Sequence, residues 1–61
     1  MDEVELVQAA VFSLEQAAQR VETLAAQSRT PALTEHLQRV AGLLREQASL
    51  VARKHRRPAK P

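Results

Sequence analysis

Apolar residues recur through the first half of the chain at Val4, Val7, Val11, Leu14, Ala18, Val21 and Ala25, alternating by three and four positions. That spacing predicts an amphipathic helix over residues 2–28 with a heptad seam. Ala10, Ala17 and Leu24 widen the apolar stripe on one flank, beyond what a two-stranded coil covers. Asp2 occupies an N-cap position, and Glu5 stands three residues later where a capping box places its reciprocal acceptor.

The pattern breaks at Ser28-Arg29-Thr30-Pro31. Proline fits the first turn of a helix but not its interior, and it biases the preceding residue toward extended geometry, so Thr30 is expected to cap a second helix over residues 31–53. Leu33, Leu37, Val40, Leu44 and Val51 continue the three-four spacing, with Gln47 at one seam position and Leu43 and Leu50 extending the apolar face. Glu35 and Arg39, four apart, make a favourable pair on one helix face. Residues 54–61 read as a basic, flexible tail, in which Pro58 and Pro61 stop any further helix.

Two long helices joined by about four residues predict an all-α, antiparallel hairpin. Both stripes are wider than a two-helix contact can cover, so the hairpin is expected to dimerise into a four-helix bundle or to dock on another protein. The dimer core is expected to draw on Val7, Val11, Leu14, Val21, Leu37, Val40, Leu44 and Val51.

Length sharpens this expectation. A chain of 61 residues is one small domain whose single core is marginal without a staple. It has no cysteine, and its two histidines, His36 and His55, are far apart, so neither disulfides nor an ordinary structural zinc site is expected. Eleven alanines, eight leucines and six glutamines beside a single glycine favour helix over sheet. With no long apolar run and an acidic start, Met1-Asp2-Glu3-Val4-Glu5, a soluble, cytoplasmic protein is expected, without membrane span or signal peptide.

Charge divides the chain. Residues 1–52 hold seven acids against Arg20, Arg29, Arg39 and Arg45, whereas Arg53, Lys54, Arg56, Arg57 and Lys60 crowd into the last nine positions. Cations at the end of a helix favour its dipole and aid solubility. The same cluster can also attract phosphates in a sequence-blind, salt-sensitive way, although no aromatic accompanies it to stack on bases.

Phe12 is the sole aromatic residue. On a helical wheel it falls nearly opposite the Val7, Leu14, Val21 stripe, with Gln8 and Gln16 one turn away on either side, which makes Gln8, Phe12 and Gln16 the candidate partner-binding set. Gln47 is either a register-setting buried amide or a solvent-reaching one, and Gly42 weakens helix two by about 1 kcal/mol relative to alanine. Glu35 and His36 are adjacent and therefore point about 100° apart, which makes no shared site. No phosphate-cradling glycine loop and no nucleophile with a base and orienter is present, so neither enzymatic activity nor a cofactor, metal or small-molecule substrate is expected.

In length, short turn and paired heptad helices, roughly residues 3–54 resemble the Rop family of plasmid RNA-binding proteins, whose outer helix-one face carries residues like Gln8, Phe12 and Gln16 at four-residue spacing. The resemblance implies an antiparallel homodimeric four-helix bundle that binds RNA. Here Glu5, Glu15 and Glu22 neighbour the stripe and no lysine does. The leading expectation is a non-enzymatic interaction module, of adaptor, chaperone or inhibitor type, that binds itself and another protein. The alternative is a nucleic-acid-binding regulator using Arg53, Lys54, Arg56, Arg57 and Lys60 on RNA or DNA. A purely structural subunit of a larger helical assembly is the third.

Overall fold

The computed structural model describes residues 2–55, which form two helices packed against each other as a hairpin: α1 (Glu3–Gln27) and α2 (Pro31–His55). α2 extends through Lys54 and His55 before the described residues end, so the tail expected from residue 54 begins as helix. Among the described residues no helix is long and apolar enough to cross a membrane.

The start of α1 differs from the capping box expected of it. Asp2 has the extended backbone of an N-cap, with φ −65° and ψ 150°, and its carbonyl accepts from the Leu6 amide at 2.9 Å, but its carboxylate makes no capping hydrogen bond. Glu3 and Glu5 in the first turn still favour the positive end of the helix dipole. At the turn, Ser28 leaves the helix with φ −73° and ψ 141°, its amide donating to the Ala25 carbonyl at 3.2 Å. The Ser28 hydroxyl then accepts from the Thr30 amide and donates to the Thr30 carbonyl, both at 3.2 Å, a side-chain clasp that orders three residues without a glycine. Thr30 stands at the N-cap position of α2, as expected, and its backbone carbonyl accepts from the Thr34 amide at 2.9 Å.

The contact between the helices is built on alanine. Among the described residues, Ala18, Ala25, Ala41 and Ala48 are the buried hydrophobic ones, each at most 3% exposed, and no large side chain is fully buried. Each helix thus supplies two alanines seven residues apart, on the inner side of the seam. On α1 the observed seam follows the predicted one from Val7 onward, with Val7, Val11, Leu14 and Val21 half-buried around the alanines, whereas Val4, expected at its start, is exposed beyond the reach of the contact. On α2 it is displaced: the inward line runs Thr34, Leu37, Ala41, Leu44, Ala48 and Val51, and Leu33 and Gln47, expected on the seam, are exposed. Small side chains let the helix axes approach closely, which brings more atoms of each helix within dispersion range. Alanine therefore takes the centre and bulkier neighbours move to the flanks.

Candidate functional site

Among the described residues, seven large hydrophobic side chains are exposed: Val4, Leu6, Phe12, Leu24, Leu33, Leu43 and Leu50. Phe12, at 61%, is the most exposed of them. It lies on the first half of α1, four residues before Gln16 and four after Gln8, both exposed as well. The wheel that placed it away from the seam therefore matches its position in the hairpin.

Phe12 borders two concave surfaces. The larger is a groove of about 470 Å³ at the open end of the hairpin, formed by Val4, Val7, Val11 and Phe12 from α1 with Ala52 and His55 from α2. Gln8 and Glu15 also line it. The smaller, about 330 Å³, holds Phe12 with Ser13, Gln16, Ala17 and Arg20 along the outer side of α1. The three residues expected to act together are thus joined only through the ring: Gln8 shares one groove with Phe12 and Gln16 shares the other. Val4 and the two α2 residues were not anticipated as members of this surface, because periodicity within one helix cannot say which residues of the other end beside it.

The expected dimer-core residues Val7, Val11, Leu14, Val21, Leu37, Val40, Leu44 and Val51 are all half-buried, partly used up within the hairpin itself. Of the basic cluster, Arg53 and Lys54 are exposed in the last turn of α2 together with His55, where their charge favours the negative end of the helix dipole. Arg56, Arg57 and Lys60 lie outside the described residues.

Among the described residues one ion pair joins the helices, and nothing in the spacing announced it. The Arg45 guanidinium donates to both carboxylate oxygens of Glu22, from Nη2 to Oε1 at 2.8 Å and from Nη1 to Oε2, across 23 residues of sequence. Side chains slope toward the N-terminus of their own helix, so in an antiparallel pair two long side chains from different levels slope toward one another. Arg45's hydrogen bonds hold the Glu22 carboxyl below its ordinary value and, reciprocally, raise the guanidinium, to which the charge of Glu15 also contributes. Both groups remain accessible to solvent, so the pair sets register more than it stabilises. The predicted Glu35–Arg39 pair is present on α2 at 3.7 Å, also exposed.

His36 is exposed beside Glu35, and among the described residues no group of three or more acidic, histidine or cysteine side chains is gathered as a metal site would need. Compared with protein families, with characterised proteins and with solved structures, the chain finds no match.

Proposed function

We propose that this chain is a small non-enzymatic protein–protein interaction module, a regulator of adaptor, chaperone or inhibitor type, that acts as a homodimeric helical hairpin and docks the face around Phe12 onto a partner protein. The observation that carries the reading is the exposure of Phe12 at the border of an apolar groove that takes residues from both helices. An aromatic ring gives a large contact area for little lost rotamer freedom, and uncharged polar neighbours such as Gln8 and Gln16 suit the surround of an interface centre. Burying the ring and the adjoining valines supplies affinity, while Glu15 within the groove selects against an acidic partner.

The test pairs stability with binding. Wild-type protein and Phe12→Ala are used as baits against an extract of the source cells, and both are melted by circular dichroism alongside Leu14→Ala. Phe12→Ala is expected to melt like wild type and to lose a protein that wild type retains. If it melts as early as Leu14→Ala, Phe12 is a structural residue, and if it captures the same protein equally well, Phe12 is not the docking residue; either result defeats the reading.

A second reading rests on Arg53 and Lys54, which present exposed positive charge where α2 ends, next to further cations in the sequence. A dimer would pair two such clusters and bind nucleic acid through phosphates. It predicts binding that is lost on removal of residues 53–61 and steeply weakened by salt. Binding that survives the truncation sinks it.

A further inference from the structure

We infer that the exposed leucines of α1 and α2 form one continuous face covered by a second copy of this chain, and that this face, not the groove at Phe12, holds the dimer together. The inference rests on the homodimeric reading above and adds which surface makes the dimer.

The hairpin has two sides, and the Glu22–Arg45 pair tells them apart. Both helices carry the same heptad repeat and run antiparallel, so equivalent positions of the repeat emerge on the same side of the pair. Glu22 and Arg45 each stand four residues after a buried alanine, Ala18 and Ala41, and they meet across the helices as equivalence requires. That side also carries Gln8, Glu15 and Gln38, and its groove takes Phe12.

The opposite side is defined by the residue just before Val11, Ala18 and Ala25 on α1 and just before Thr34, Ala41 and Ala48 on α2. On α1 these are Ala10, Ala17 and Leu24; on α2 they are Leu33, Val40 and Gln47. None is ionised. One step further out on the same side, Leu6, Ser13 and Arg20 border α1 and His36, Leu43 and Leu50 border α2, so the apolar strip is edged by one guanidinium, that of Arg20. Leu24 and Leu43 are each more than half exposed, and the hairpin leaves five of its eight leucines exposed.

Size and shape select a second copy as the occupant. Two 25-residue helices, each about 38 Å long and about 10 Å across, present a face of roughly 750 Å², close to the ~800 Å² per partner of a standard stable interface. A two-fold contact must be self-complementary. This one is: the α1 row is small at its middle, with Ala10 and Ala17, while the α2 row is bulky, so α1 of each copy can seat the leucines of the other's α2. A hairpin whose fully buried side chains are alanines gains most from that cover.

Sedimentation equilibrium on the full chain, with wild type, Leu24→Glu, Leu43→Glu and Phe12→Glu compared at several concentrations, tests this. The expected result is a wild-type dimer, association weakened about thirtyfold or more by either leucine variant, and little change for Phe12→Glu. Because a monomer this small can lose its fold, isotope-filtered NOEs in a wild-type mixture of labelled and unlabelled copies provide a second reading. Contacts between copies are expected at the Leu24, Leu43 and Leu50 methyls and absent at the Phe12 ring. A wild-type dimer whose inter-copy contacts fall on Phe12 and Val4 overturns the assignment of the face while leaving the homodimer intact. A wild-type chain that stays monomeric overturns both, and leaves the leucine face to a different protein.

Discussion

Replacing Ala18 by leucine tests the alanine contact on which the hairpin is built. Ala18 is fully buried between the helices, and leucine adds three carbons at a point where the axes are held close by the absence of such atoms. Overpacking of this kind costs about 1–3 kcal/mol. A chain of 61 residues has a total stability of roughly 3–9 kcal/mol, so the change removes a substantial part of it. At about 4–8 °C per kcal/mol for a domain of this size, the midpoint falls by roughly 5–20 °C. The control is Ala26→Leu, the same substitution on an exposed position of the same helix, which should shift stability by no more than about 0.5 kcal/mol. Circular dichroism at 222 nm, followed through thermal and urea transitions at one fixed protein concentration, reads both, since association makes the midpoint concentration-dependent. If the two variants melt together, the helices do not meet through their alanines and the packing described above is wrong.

Other substitutions probe the remaining features. Gly42→Ala should stabilise the protein by about 0.5–1 kcal/mol, because Gly42 is helical with nothing within 4 Å of an added methyl group; a loss of stability in urea titration would contradict this. Asp2→Ala should cost less than the ~1 kcal/mol typical of a lost N-cap, because the carboxylate makes no capping bond, and a full cap's loss in the same assay would restore the capping box. Glu22→Gln should lower the urea midpoint slightly at neutral pH, and less in high salt. Glu22's carboxyl is held below its ordinary value of 4.5, so its contribution is complete above that value and disappears as pH falls through the lowered one. Wild type and Glu22→Gln should therefore converge in strong acid, and a difference that persists there would show that the pair does not act through ionised Glu22.

Much of this molecule follows from its sequence. Pro31 can begin a helix and not continue one, the three-four spacing on either side can be satisfied only by helix, and a link this short can only fold the second helix back along the first. The outward position of Phe12 was legible for the same reason, since 3.6 residues per turn fix where a side chain leaves its own helix. The spacing could not choose among the residues of a wide stripe. On α2 both the line through Val40 and Gln47 and the line through Ala41 and Ala48 satisfy the repeat, and the sequence reading took the first, more hydrophobic one. The approach of the helices selected the second, because contact energy depends on how closely two surfaces come together and alanine lets them come closest. The same choice turned the leucines outward and brought Glu22 to Arg45, a meeting between residues 23 apart that exists only once two helices share a register.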